Sequence, residues 1–592
     1  MNYLFDDTDI ELIKCHYCRL SPQFFDLQDL SNVDMEQFLD LTKITTSLDD
    51  RSITDNLNEN EAMGREFVID ALLTLLHDGK KDCELTVKYY ATKLIRYVRN
   101  SFARHFWVSF MSKETPELED YYNGLVHFSQ WFQPSTRICI ASIKFDVDRI
   151  AMSTLKHISS KHPNHTIFND KNQTNANVKN VDKKEKNPFK KYLSCDKSPE
   201  YESSEKELFQ VLDALNYVMF EVEGFRGNTS NYYNPNNSYI DKVLETRQGI
   251  PITLCILYML IAERLGIRLE PINFPRHFLL RLKNDKSNET YIDVFQKGKR
   301  LSQQEVHHMD EENTAKYHAA KPIEVFQRMV RNMLAIGQMV ENVSDSQSYS
   351  LLRAALELQK LIGADFEHPG FGLVQLYLQQ NINHREVHEE LDNYENWPLN
   401  MWIIENNQHL KQQVKNLRRL CMRQLEDNKK QLEDNSKSSP KLRSEFKGAH
   451  GQSDHFEEMG LYSVGMVMKH KRYHYLCVIY GWDPVCKQSK NWVRQMGVDR
   501  LRWKDIQPFY NVLVEDGSYR YAASENLFPA KPQRISGNPQ VGKYFFEFDE
   551  NIGYIANEEL TINYPEDAMV QVKFEGSWRK HRSSSSSNGE IN

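Results

Sequence analysis

Two short stretches carry side chains whose types and spacing could do chemistry without help from elsewhere. Cys15 and Cys18 form a C-x-x-C pair with His16 between them. A tetrahedral zinc site needs four ligands of this kind, and the nearby sequence supplies no second pair, so neither a structural metal nor a cofactor is expected. Near the C-terminal end, Lys469, Lys471 and Arg472 flank His470 in a tight basic cluster. Cations gathered on a turn are what a nucleic-acid phosphate or an acidic partner would meet, although such loop charge is more often simply solvated.

The elements that must position these groups are legible in the pattern. Helical spacing of apolar residues runs through EFVIDALLTLL and LTVKYYATKLIRYVRNSF, giving a helical region over 61–160. RQGIPITLCILYMLIAERLG places Pro251 in a first helical turn, where no amide donor is needed, and Gly266 at the left-handed C-cap. That helix is apolar on every side and must be buried. SYSLLRAALELQKLI and HPGFGLVQLYLQQ read as a helical hairpin within 321–408. From 458 to 572 the pattern turns strand-like. YSVGMVMKHKRYHYLCVIYGWDP gives two strands about a polar turn, and Asp516-Gly517 marks a two-residue hairpin turn, together suggesting a small β-barrel.

Between these elements lie a polar segment at 1–60, an Asn/Lys-rich linker at 161–206, a charged linker at 409–457 and a Ser-rich tail at 573–592. The fold class expected is therefore α+β and multidomain. It comprises the N-terminal helical region, a mixed domain at 207–320, the helical hairpin and the C-terminal barrel.

Bulk properties exclude several classes. The 592 residues carry 74 basic against 82 acidic side chains, a net charge of -8 that exerts no global pull on nucleic acid or anionic lipid. Over 461–570 the count is 13 basic to 13 acidic, a weak footprint for DNA. The longest apolar run, 252–262, is too short to span a bilayer. An acidic start without a signal-like apolar stretch and nine scattered cysteines fit cytoplasm and/or nucleus.

Taken together, NYYNPNNSYIDKVLETRQGIPITLCILYMLIAERLGIRLEPINFPRHFLLRL and YIDVFQKGKRLSQQE resemble the SirB1 branch of the transglutaminase-like superfamily. The resemblance implies a papain-like α+β domain in which a Cys opens a helix, a His follows on one strand and an Asp on the next. His277 and Asp293 fall at the family's His and Asp positions, but Pro251 stands where the nucleophile belongs. The resemblance thus implies a pseudoenzyme with a degenerate site of Pro251, His277 and Asp293, the last two kept as a hydrogen-bonded structural pair. Cys255, one turn further on, is the only displaced nucleophile to weigh. Its place beyond the free amides and between Leu254 and Ile256 favours a packing role and a raised thiol pKa.

The segments QPFYNVLVEDG, RYAASENL and YPED are similar to the YccV family, whose bacterial members are called hemimethylated-DNA-binding or heat-shock protein Q. A SirB1-like domain, a tetratricopeptide-like helical region and a YccV-like barrel in that order resemble a family of animal F-box proteins. That resemblance implies a substrate-recognition adaptor of a Skp1–cullin–F-box ubiquitin ligase, with Skp1, cullin and client proteins as partners. DNA binding through the barrel, by way of Lys469, Lys471 and Arg472, is the alternative. Residues 1–60 contain no Leu-Pro opening of an F-box, which leaves truncation, an alternative start or real loss of the F-box open, and the last would call for a substitute to reach Skp1.

Overall fold

The computed structural model describes residues 85–113, 117–168, 204–274, 277–282, 289–309, 318–340, 346–363, 370–380, 383–396, 408–437, 440–446, 461–538 and 540–567, with a few positions between 69 and 76. Cys15, Cys18, the polar segment 1–60, most of the Asn/Lys-rich linker and the tail lie outside the described residues.

The helices are α1 (Leu85–Met111), α2 (Leu118–Phe132), α3 (Ile140–Lys161), α4 (Glu205–Asn216), α5 (Ile240–Thr246), α6 (Pro251–Arg264), α7 (Gln303–Met309), α8 (Pro322–Val340), α9 (Ser346–Ile362), α10 (Gly370–Gln380), α11 (His384–Asn396) and α12 (Gln408–Lys437). Two compact units result. The described residues of Phe102–Gly337 and Ala354–Pro369 make one, and those of Met1–Ser101, Gln338–Arg353 and Gly370–Asn592 make the other.

In the first unit a short parallel pair, β1 (Arg226–Gly227) with β2 (Gln248–Gly249), precedes α6. A four-stranded antiparallel sheet follows in the order β3 (Glu270–Ile272), β4 (Leu279–Leu282), β5 (Thr290–Asp293), β6 (Lys299–Ser302). Helix α6 keeps its charge at its last two residues, and Ile252 through Ala262 are all buried. It packs against α3 on one side and against β3 and β4 on the other. The expected division at 160 and 207 is not a division of packing. Arg149 of α3 pairs with Glu223, Arg264 of α6 with Asp148 (2.7 Å), and Trp131 of α2 donates to the carbonyl of Ala354 (2.8 Å). Trp107 and Phe326 stack edge to face at 5.3 Å. The helices around 118–161 are thus part of the mixed domain's own core.

In the second unit α10 packs on α11 and α12. Segment 409–457 is corrected from linker to structure over most of its described length. Val414 and Cys421 of α12 are buried, Cys421 Sγ donates to the carbonyl of His384 (3.4 Å), and Arg418 pairs with Asp392 (2.8 Å). The apolar positions of α12 are too sparse to announce burial by periodicity, yet one narrow face is covered.

The C-terminal barrel takes the form of a five-stranded antiparallel sheet. Its order is β10 (Tyr519–Ala523), β9 (Phe509–Val514), β8 (Leu476–Asp483), β7 (Val467–His470), β11 (Leu527–Pro529), and a separate hairpin joins β12 (Phe545–Asp549) to β13 (Gly553–Ala556). Strands β9 and β10 meet through a three-residue loop rather than the expected two-residue turn. The Val514 amide donates to Ser518 (2.9 Å), and Gly517 adopts φ 86°, a left-handed conformation that glycine takes without steric cost.

The sheet's core begins earlier than its strands. Phe446 is fully buried and its ring lies 4.3 Å from that of Trp482, while Lys441 Nζ donates to the Trp482 carbonyl (2.8 Å) and pairs with Asp483 (3.0 Å). Arg443 pairs with the buried Asp567 at 3.1 Å. Residues 440–446 therefore belong to the C-terminal sheet domain. The start of α1 joins it as well: Thr86 Oγ1 donates to the carbonyl of Phe545 (3.0 Å), Tyr89 donates to Gln540 (2.9 Å), and a Cβ on Gly542 would stand 2.4 Å from the Leu85 carbonyl oxygen.

Candidate functional site

Helix α6 is delivered to its place by the loop before it. Arg247 caps α5 in the left-handed region (φ 59°), β2 pairs with β1, and the Ile250 amide donates to Asn237 (3.2 Å). Asn237 is itself buried, accepting from Asn228 (3.0 Å) and donating to the carbonyls of Asn231 (2.8 Å) and Tyr232 (3.1 Å). The Asn-rich run thus becomes a rigid turn because its side-chain amides replace backbone partners.

Pro251 occupies the first helical position, half-buried, and presents no attacking group. Cys255 lies one turn on, fully buried, and its Sγ donates to the carbonyl of Phe278 at 3.4 Å. Burial first, and the charge of Asp293 second, push its pKa far above the ordinary thiol range. A thiol held that way is a packing group.

His277 sits just before β4 with its ring exposed, 6.1 Å from the ring of Phe274. Asp293 ends β5 and is 3% exposed. The hydrogen-bonded pair expected of these two does not form, since among the described residues no hydrogen bond joins them. Asp293 instead accepts from the backbone amide of Gln296 (3.1 Å) and from its side-chain amide (2.9 Å). The physical reason is local: the chain leaves β5 in a tight turn through left-handed Lys297 and Gly298, and the carboxylate satisfies that turn. Cys255 and Asp293 do come within electrostatic reach, and Cys255 touches the residue after His277. Among the described residues no hydrogen bond joins Cys255, His277 and Asp293 to one another.

The structure adds Arg328, on α8. Its Nη1 donates to the carbonyl of Phe274 (2.7 Å) and to Asn273 Oδ1, and its guanidinium lies 5.7 Å over the ring of Phe278. It thereby clasps the turn that carries His277. Nothing in PIEVFQRMVRNML marks this arginine apart from its neighbours, because its role depends on a turn some 50 residues away.

In the C-terminal sheet domain the residues of the basic cluster have separate contacts. Lys469 is half-buried on β7, Lys471 Nζ is held by the carbonyl of Glu525 (2.5 Å), and Arg472 lies 5.4 Å over the ring of Tyr473. Between them His470 Nδ1 accepts from the amides of Arg472 and Tyr473, both at 3.1 Å. These contacts hold a turn.

A retained transglutaminase-like core joined to a YccV-like sheet defines the class of the molecule, and sequence comparison agrees. The transglutaminase-like superfamily profile matches residues 187–340, and the profile described as hemimethylated DNA-binding protein YccV like matches 460–572. F-box only protein 21 of Pongo abelii is 36% identical over 515 residues, and those of Mus musculus and Homo sapiens are 36% identical over 524. In each case the match spans 85% of this chain and 74% of the relative. The chain belongs to the F-box only protein 21 family. No solved structure matches it, and no helix among the described residues is long and apolar enough to cross a membrane.

Proposed function

We propose that this chain is a non-catalytic substrate-recognition adaptor of a Skp1–cullin–F-box ubiquitin ligase, working in cytoplasm and/or nucleus. The observation that carries the reading is the start of α6, where Pro251 stands at the first helical position and Cys255, one turn on, is fully buried. A papain-like core kept fully packed yet without a nucleophile is suited to holding a client rather than cutting or linking one. Kinship with proteins named for the F-box supports the link to Skp1 and cullin, through a segment within residues 1–160.

The test is affinity purification of the full chain and of a Cys255→Ala version from their own cells. Skp1 and cullin should be recovered equally with both. Recovery of neither with the intact chain ends the adaptor reading.

The alternative is a chromatin module that binds DNA through the C-terminal sheet domain, which the YccV-like match supports. It calls for an affinity for duplex DNA that falls steeply with salt. With Lys471 committed to Glu525, we expect a shallow dependence.

A further inference from the structure

We propose that Arg328 and Tyr232 form a receptor for a carboxylate, and that an acidic peptide segment of a client lies beside the turn that carries His277. The proposal rests on the client-holding reading above and names the chemistry of the client.

The first observation is a missing partner. Six other arginines of the same unit each hold a carboxylate: Arg149 and Arg247 share Glu223, Arg264 pairs with Asp148, Arg268 with Glu263, Arg281 with Glu270 and Arg300 with Asp213. Half-buried Arg328 has none within ion-pair distance among the described residues. Of its nitrogens only Nη1 is engaged, and by neutral acceptors. A guanidinium partly withdrawn from water without a counter-charge is unfavourable. Burial and the nearby charge of Arg331 both pull its pKa down, in keeping with that cost.

The second observation is what surrounds it. Tyr232 lies within the electrostatic reach of Arg328, and its ring meets Phe295 at 6.4 Å and Tyr233 at 5.3 Å, both edge to face. Phe295 in turn fills the space left by Gly227, where a Cβ would come within 2.3 Å of the ring. Tyr232 and Tyr233 are nevertheless 37% and 53% exposed. Braced tyrosines that still face water supply contact area at little entropic cost. The open fork of an arginine beside them matches a planar carboxylate, which it can grip through two nitrogens. An acidic segment carrying an apolar residue between its carboxylates suits both features, with the carboxylate on Arg328 and the apolar side chain on the tyrosines.

The probe is a fluorescein-labelled peptide, GEEFEEG, compared with its neutral twin GQQFQQG by fluorescence anisotropy on the full chain. Each peptide is made with an amidated and with a free C-terminus, which separates a side-chain carboxylate from a chain-end one. The acidic peptide should bind about tenfold or more tightly than the neutral twin, and Arg328→Gln should abolish that difference. Arg328→Lys, which keeps the charge and loses the fork, should keep part of it. Tyr232→Ala should weaken both peptides alike. Thermal unfolding of each variant separates a collapsed Phe274 turn from a lost receptor. Equal binding of the two peptides, undetectable binding of both, or an acidic preference untouched in a folded Arg328→Gln chain overturns the proposal. Recovery of Skp1 and cullin by Arg328→Gln distinguishes this failure from failure of the adaptor reading, because the receptor lies outside the segment assigned to assembly.

Discussion

Gln296 holds both oxygens of Asp293, one through its backbone amide at 3.1 Å and the other through its side chain at 2.9 Å. An aspartate used this way organises the turn after β5, and the Gly298 amide completes the turn by donating to the Asp293 carbonyl (2.9 Å). Replacing Asp293 by Ala should therefore destabilise the first unit by about 0.5–1.5 kcal/mol, because it removes the hydrogen bonds that this buried carboxylate makes in the turn. Replacing the exposed His277 by Ala should change stability by no more than about 0.5 kcal/mol. Urea unfolding of the two single variants and the double variant checks this. The effects should add, and a coupling energy above about 0.5 kcal/mol would reinstate a His277–Asp293 pair.

Cys255 provides a chemical contrast with Cys139, which is exposed. Iodoacetamide at neutral pH should modify Cys139 within the time that leaves Cys255 untouched, and Cys255 should react only on unfolding. The pH consequence has a definite sign. The folded thiol keeps its proton to a higher pH than the unfolded one, so its contribution is complete below the unfolded pKa, about 8.5, and declines as pH rises beyond it. Cys255→Ala should flatten that alkaline decline.

His470 carries the opposite dependence. Burial, followed by the charges of Arg520, Arg472 and His474, lowers its pKa, and its Nδ1 must stay unprotonated to accept from two amides. The folded pKa is below the unfolded one, so the stabilisation is complete above about pH 6.5 and lost as pH falls through the folded value. Amide exchange, corrected for its intrinsic pH dependence, should show Arg472 and Tyr473 less protected at pH 5 than at pH 7. Equal protection at both would show that the turn does not depend on His470.

Phe446 is expected to act as a core residue of the C-terminal sheet domain. Phe446→Ala should cost about 3–5 kcal/mol there, in line with large-to-small changes at buried aromatic positions. Thermal unfolding followed at the Trp482 environment reads this directly. A change below about 1 kcal/mol would return 440–446 to the status of a linker.

What could be read in the sequence was local chemistry. Pro251 and Gly266 bound α6, and apolar residues all around it announce burial. The turn residues of 471–475 and 515–518 mark two hairpins, although the side that Gly517 takes in its loop depends on strand register. What could not be read depends on partners far along the chain. KLRSEF looks like a charged linker until Phe446 meets Trp482 and Arg443 meets Asp567, more than a hundred residues later. Likewise α12 carries too few apolar positions to declare its covered face. Motif position singles out His277 and Asp293, but the motif says nothing of Gln296, which decides what Asp293 does. Arg328 stayed hidden because an unpaired charge becomes visible only when its surroundings are known.

The bond between Thr86 and Phe545 closes a separation of 459 residues. At a synthesis rate of roughly 5–20 residues per second, about 20–90 s pass between the emergence of Thr86 and that of its acceptor. During that interval the first turns of α1, with Leu85, Thr86 and Tyr89, have no C-terminal sheet to rest on. The newborn chain therefore passes through a long interval in which one of its earliest helices waits for almost its last strand, a stage at which a chaperone would find its apolar side uncovered.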